Sequence, residues 1–431
     1  MKIKKILIIL LIVFLVGCDG GVQEQESQTQ IQQIILPVTS ENKSTQTQPP
    51  TTEVTQPAST IDYKKLEKTL KNPEKFEAAM KEIARDFTVN GMSMAVFADG
   101  EIVYTFNYGY ANKSAGILAN DDTKYRSASV SKTATAICAM ILYEEGLLDL
   151  DKPFTDILGY NMDSSSHDTP NTTRHLLSHT SSIIDTGAYS NAWSHSPPLS
   201  VSRMASMGIW SSSPPGTRYE YSNLGLSVVA SVIESITGQR FYTYAQENLF
   251  QSLDMDAAFL RTLIKDVNSI ANIYTNGSLA HNPRTWGRTE SLYNRLPLGN
   301  SHGIAECEMI ISATDLARMG ILLTNDGEVD GVRLLKPETV AQMTAPALPV
   351  ESNSHIRGLG LRIHQGNVIE GRTITGHSGA ALGMASGLYF DTADRTGVAL
   401  LTNGCSVGLR ENGMYGISDE TLKLVYSHFF G

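Results

Sequence analysis

The sequence predicts an α+β protein in which an antiparallel sheet is assembled from both ends of the chain, flanked by helices, with a mostly helical subdomain inserted between. Three observations carry this. Near the start, "MSMAVFADGEIVYTFNYGYA" reads as two strands around Asp99-Gly100, a hairpin-turn pair. Near the end, "TITGHSGA", "SGLYFD" and "GVALLTN" follow one another as strand-like runs. Between them, roughly residues 126–300 are mostly helical or irregular.

Of the 431 residues, 41% are hydrophobic and 18% charged, enough for one large core once the non-folding segments are set aside. Those segments come first. "MKIKKILIILLIVFLVGCDGG" sets Lys2, Lys4 and Lys5 before an apolar run from Ile6 to Val16, which is too short to span a bilayer and is laid out as a signal peptide. It ends in Leu15-Val16-Gly17-Cys18, which resembles the bacterial lipobox. Residues 1–17 are therefore expected to be removed, and Cys18 to carry the lipid that anchors an extracytoplasmic protein to a bacterial membrane. Residues 18–60 are rich in Gln, Thr, Ser and Pro and bury too little apolar surface to offset their ordering entropy, so they read as a tether. The folded domain is expected over 61–431.

Order begins with "PEKFEAAMKEIARDF", where Phe76, Met80, Ile83 and Phe87 recur at helical spacing behind Pro73. The hairpin follows. From Val130, residues Ala134, Ile137, Cys138, Ile141 and Leu142 form a helical stripe that stops at Gly146. A further helix is expected in "SATDLARMGILLTNDG", and a last one near "DETLKLVYSHFF" closes the chain after the three strands. The net charge of -10 and the absence of a basic stripe argue against a nucleic-acid partner. Cys138, Cys307 and Cys405 have no C-x-x-C spacing. Cys138 sits in the apolar stripe, which leaves Cys307 and Cys405 as the pair that export could oxidise if geometry permits.

Chemistry concentrates in three short stretches. In "YRSASVSKTATA", Ser129 and Lys132 stand at i and i+3, one helical turn apart on one face, whereas Ser131 points elsewhere and Ser127 precedes the helix. A serine needs a base to take its proton, and a lysine shielded from water near a helix N-terminus can serve. The Ser129 amide could also donate to an oxyanion. In "YEYSNLGLSVV", Tyr221 and Asn223 project to one side of an extended segment: the phenol could relay a proton, and the amide could bind Lys132 and a substrate carbonyl. The alternative is that Asn223 only caps the helix and Tyr221 only packs. In "TGHSGA", His377 and Gly379 share one face of a strand. Gly379 would let a substrate backbone approach, and Ala380 would supply a second oxyanion amide.

Taken in order, S-V-S-K, Y-S-N and H-S-G resemble the three motifs of the penicillin-recognising serine hydrolases, in the branch of class C β-lactamases, D-alanyl-D-alanine carboxypeptidases, D-aminopeptidases and related esterases. "HLLSHTSSI" resembles that family's L-L-x-H-T-S-G segment, and "GHSGAALGMASGLYFD" its closing strands. The resemblance implies a β-lactamase/transpeptidase-like fold and an acyl-enzyme on Ser129. Lys132 and Tyr221 would share acid/base work, Asn223 and His377 would position substrate, and the Ser129 and Ala380 amides would form the oxyanion hole. No cofactor or metal is expected. The substrate would be a small molecule or peptide, such as a peptidoglycan stem peptide. A carboxylesterase of the same fold and a silent peptide-binding or penicillin-sensing protein are the rivals.

Two departures stand out. His377 replaces the usual lysine, so a weaker hold on carboxylates is expected, and a loss of that hold as pH rises through about 6.5 if the ring must be protonated. Ser182 stands where glycine is usual. Two decoys also occur. "GNSHG" satisfies G-x-S-x-G with Ser301 but lacks the strand-turn-helix context, and His175 and His179 are spaced like zinc ligands without the glutamate. Substrate choice falls to loops such as "NAWSHSPPLSVSRMASMGIW".

Overall fold

The computed structural model describes Leu70 and residues 72–162, 167–347 and 356–431; the expected signal peptide, Cys18 and the expected tether lie outside the described residues. Among the described residues, no helix is long and apolar enough to cross a membrane. Helix α1 (Pro73–Asp86) opens with Pro73, and the Asn72 side chain accepts from the Lys75 amide. Strands β1 (Gly91–Ala98) and β2 (Glu101–Asn112) turn through Asp99 and Gly100, whose φ of 49° and 83° are left-handed values that this dipeptide tolerates. Strands β3 (Ile117–Leu118) and β4 (Lys124–Arg126) follow, then helices α2 (Ser131–Glu144) and α3 (Asn223–Thr237). Strand β5 (Ile310–Ser312) pairs with β4 and leads into α4 (Ala313–Thr324). The chain ends with β6 (Arg362–Gln365), β7 (Thr373–Ala381), β8 (Met384–Asp391), β9 (Thr396–Thr402) and α5 (Gly416–Phe429).

Seven strands form one antiparallel sheet in the order β6-β7-β8-β9-β1-β2-β3. The first hairpin joins the last strand, with Met92 opposite Thr402 and Ala98 opposite Thr396. Alternation along the strands then sorts side chains to two cores. Val96, Phe106, Val398 and Leu400 pack with Phe76 and Met80 of α1 and Val425 and Tyr426 of α5. Ala95, Phe97, Ala399 and Leu401 pack on the other side with Leu316 and Met319 of α4 and with α2 and α3. The result is three layers, helix-sheet-helix, as the α+β reading expected.

Two details differ from expectation. The apolar stripe on α2 understates its burial: every residue from Ser131 to Leu142 is buried, because the helix sits inside the second core rather than on its surface. Within residues 126–300, α2 and α3 are the long helices, and short ones such as Thr155–Leu158 and Thr173–Leu177 alternate with loops. Strand β6 covers β7 only from Thr373 to Gly376. The edge from His377 onward lies beyond its end, and the turn before α2 packs there.

Candidate active site

The turn before α2 separates the three serines. Ser127 Oγ donates to the Met309 carbonyl at 3.1 Å, and Ser131 Oγ donates to the Ala128 carbonyl at 2.6 Å while accepting from the Met309 amide at 3.1 Å. Both are buried braces. Ser129 lies in a 3-10 turn (Ala128–Val130), is partly exposed, and meets Lys132 Nζ at 3.2 Å. Ala128 holds φ at 46°, a left-handed value that costs a non-glycine residue about 1–2 kcal/mol. The braces on either side hold that turn in place.

Lys132 is fully buried and also donates to Asn223 Oδ1 at 2.7 Å and to the Glu306 carbonyl at 2.9 Å. Its Nζ lies 5.0 Å from the centroid of the Tyr221 ring. Asn223 is not the cap of α3. Ser222 takes that role, its side chain accepting from the Gly225 amide, which frees the Asn223 side chain for Lys132.

The third stretch closes the site from β7. A Cβ on Gly379 would stand 2.6 Å from the Ser127 carbonyl oxygen and 2.9 Å from the Ser129 amide nitrogen. The glycine therefore serves the close approach of the Ser129 turn's own backbone, and it keeps the space before the Ser129 amide open. Ala380 follows, paired in register with Ala385. His377 is buried, with Nδ1 2.6 Å from the Ser378 carbonyl. A carbonyl only accepts, so Nδ1 carries the proton and Nε2, buried without a partner, is an acceptor. Burial first, then Lys132 and Arg357, push the imidazole down to about 3. This argues against a protonatable grip with a transition near 6.5: with Nδ1 held by the Ser378 carbonyl, the neutral ring turns an acceptor, Nε2, and no donor to the site.

The family called Beta-lactamase matches residues 76–412. The chain belongs to the Beta-lactamase family. Penicillin-binding protein 4 of Amycolatopsis lactamdurans is 27% identical over 344 residues, covering 77% of this chain and 84% of that protein. A D-alanine carboxypeptidase from Burkholderia cenocepacia superposes with a TM-score of 0.62 at 18% identity, covering 83% of this chain and 99% of its own. A D-amino acid amidase from Ochrobactrum anthropi, solved with L-phenylalanine amide, gives 0.59 at 20%, covering 82% and 99%. These two likenesses show the fold. The carboxypeptidase and the amidase are hydrolases of different substrates.

The decoys now have structural explanations within this Beta-lactamase fold. Ser301 is fully buried and donates to Glu234 Oε2 at 2.7 Å, and Arg240 donates to it at 3.1 Å. His175 Nδ1 accepts from the Thr172 amide at the start of a short helix. His179 Nδ1 accepts from the Ser222 amide at 3.2 Å, and its ring lies 4.5 Å from that of Tyr221, so it fixes the second motif. Ser182 takes φ of 62°, the conformation a glycine adopts freely, and its hydroxyl donates to the Ser213 carbonyl. The loop therefore keeps a glycine-like path at Ser182. Cys138, Cys307 and Cys405 are all free thiols, so Cys307 and Cys405 do not pair.

Two residues escaped the sequence reading. Asp185 accepts from the Asn223 amide (3.1 Å), the Asn223 side-chain amide (2.7 Å) and the Leu224 amide (2.9 Å), so it orients the group that binds Lys132. Glu306 reaches the site from the other side: its carbonyl takes Lys132, and its Oε1 accepts from Tyr189 at 2.7 Å, at the start of the loop expected to choose substrates.

Proposed function

We propose that this protein is a serine hydrolase that forms an acyl-enzyme on Ser129 and acts on a D-alanyl-type peptide or a small ester or amide. One observation carries the reading: of three neighbouring serines, Ser129 alone is partly exposed and bonded to a buried lysine, which is itself held by Asn223. Ser129 Oγ attacks the substrate carbonyl carbon as its proton passes to Lys132 or Tyr221. The Ser129 and Ala380 amides hold the oxyanion. The leaving group departs with that proton, and water then cleaves the ester on Ser129 with the same groups acting in reverse. Similarity to a penicillin-binding protein and a carboxypeptidase favours the peptide class, and burial of His377 as a neutral ring argues for slow turnover of β-lactams.

The lipobox-like Leu15-Val16-Gly17-Cys18 supports a mature protein tethered by Cys18 to the outer side of a bacterial membrane. Intact-mass mapping after a penicillin or fluorophosphonate tests the mechanism. An adduct on Ser129 is expected, and an adduct on Ser301 or on neither serine contradicts it. Cys18→Ser should release the protein from the membrane fraction; wild-type protein found soluble and unlipidated in its host contradicts the anchor.

A further inference from the structure

Lys132 is held by two acceptors, Asn223 Oδ1 at 2.7 Å and the Glu306 carbonyl at 2.9 Å. They lie far apart in the chain, one at the start of α3 and the other on the segment before β5. A single short stretch braces both. Asp185 accepts from the Asn223 side-chain amide at 2.7 Å and from the Asn223 and Leu224 main-chain amides. Tyr189, one helical turn further on, donates to Glu306 Oε1 at 2.7 Å. Between them the chain makes a short helical turn (Gly187–Ser190), in which the Ser190 amide donates to the Thr186 carbonyl at 3.0 Å, so the two braces belong to one small body.

The Glu306 segment is gripped from two directions. From α2 come Lys132 and Thr135, whose Oγ1 donates to the neighbouring Ala305 carbonyl at 2.7 Å. From the loop expected to choose substrates come Tyr189 and Trp193. The Trp193 ring stands 4.9 Å from that of His302, and a Cβ on Gly303 would come within 2.5 Å of Trp193 Nε1, so the loop lies directly on this segment. Glu306 is fully buried, and its Oε2 has no partner. The Tyr189 hydroxyl is therefore the side-chain partner on which this carboxyl depends. Without it the buried carboxyl is left bare, and the segment shifts to find another donor, carrying along the carbonyl that holds Lys132.

We propose that Tyr189 is a positioning residue for Lys132, acting through Glu306, and that with Asp185 it lets the substrate-choosing loop set the base. The proposal rests on the Ser129 hydrolase reading and adds a control to that site. Lys132 has to hold its nitrogen at Ser129 Oγ for proton transfer, and a misplacement of about 1 Å in such a group costs about a hundredfold in rate. A substrate that seats the loop keeps both acceptors in place, whereas one that lifts Tyr189 loosens the base. Fit to the loop is thereby read in kcat rather than in KM.

The test uses the full chain and a small serine-directed fluorophosphonate, whose labelling rate reports the activation of Ser129. Tyr189→Phe keeps the ring and removes only the hydroxyl. Labelling at Ser129 should slow about tenfold, and kcat for a small ester should fall in step with it while KM stays within about twofold. Tyr426→Phe strips the hydroxyl from a buried tyrosine on the far side of the sheet, bonded to Thr396, and should label at the wild-type rate. Glu306→Ala should match Tyr189→Phe, and Glu306→Gln, which keeps an acceptor oxygen, should recover part of the rate. The double variant Tyr189→Phe with Glu306→Ala should be no slower than Glu306→Ala alone, because both changes cut one connection. A wild-type labelling rate in Tyr189→Phe, an equal slowing in Tyr426→Phe, or two effects that multiply in the double variant overturns the proposal and leaves Ser129 as the nucleophile. A wild-type protein with no adduct on Ser129 removes the hydrolase reading, and the proposal with it.

Discussion

The two sides of the candidate site treat their polar groups differently. On the Ser129 side, Ser127, Ser131, Lys132 and Asn223 each hydrogen-bond within the chain. On the facing side, His179 Nε2, His377 Nε2 and Arg357 Nε are buried without partners. Buried polar atoms cost about 1–3 kcal/mol each when unsatisfied, so a bound molecule or water that completes them is favoured. The difference teaches that the groups around Ser129 are held by their own chain, whereas the facing ones keep atoms that a bound molecule can complete.

Removing the proposed nucleophile should have the largest effect. Ser129→Ala should abolish labelling by a serine-directed fluorophosphonate. Ser127→Ala should keep labelling and lose about 1–3 kcal/mol of stability, because a brace to Met309 is gone. Equal labelling of wild type and Ser129→Ala would erase the distinction between the two sides.

Gly379→Ala strikes where the sides touch. Its Cβ would collide with the Ser127 carbonyl and the Ser129 amide, so turnover should fall about a hundredfold, with the added methyl displacing the turn. Activity within a factor of two would show that the turn yields easily.

Asp185→Ala should lower kcat about ten- to a hundredfold with little change in KM, since it disorients Asn223 and leaves two α3 amides without their acceptor. Asp185→Asn, which keeps an acceptor oxygen, should recover part of the rate. A pure loss of stability with normal kcat would reduce Asp185 to a helix cap.

Acid should weaken the facing side before the Ser129 side. His364 and His377 are pushed down to about 3 by burial and by nearby arginines, as is His302 beneath the substrate loop. Unfolded histidines titrate near 6.5. A depressed folded value means that the unfolded chain binds more protons between those two points, so this stability is full above about pH 6.5 and is lost as pH falls. The loss is about 2 kcal/mol per histidine by pH 5. Buried Glu234 and Glu306 are raised and act in the opposite sense, gaining stability as pH falls. The unfolding midpoint should therefore drop between pH 7 and 5, and an unchanged midpoint would contradict this.

The smallest effect concerns the rate profile. Between pH 5 and 8 it should carry no limb from His377, and His377→Gln should lower the rate without altering the profile's shape. A limb near 6.5 that disappears in the variant would restore a protonated histidine.

Short-range spacing accounts for what could be read in advance. Ser129 and Lys132 lie three residues apart, and Tyr221 and Asn223 two, so local geometry alone brings each pair together. The hairpin at Asp99-Gly100 and the three closing strands were visible for the same reason. Asp185 reaches Asn223 across 38 residues and Arg357 reaches Tyr219 across 138, and no local pattern marks a residue whose partner is set by tertiary packing. His377 was legible as a residue but not as a chemical species, because burial and neighbouring cations, not its motif, decide its protonation.

The pairing of β1 with β9 bears on how the chain becomes a protein at all. Met92 cannot meet Thr402 until nearly the whole described chain exists, so the central strands of the sheet wait for the last ones to be made. Loop-closure entropy over such a span slows that step and leaves the early hairpin with an unpaired edge meanwhile. Under the export proposed for this chain, such a delay would be useful: the sheet would not lock before the C-terminal strands had followed the rest through a translocation channel.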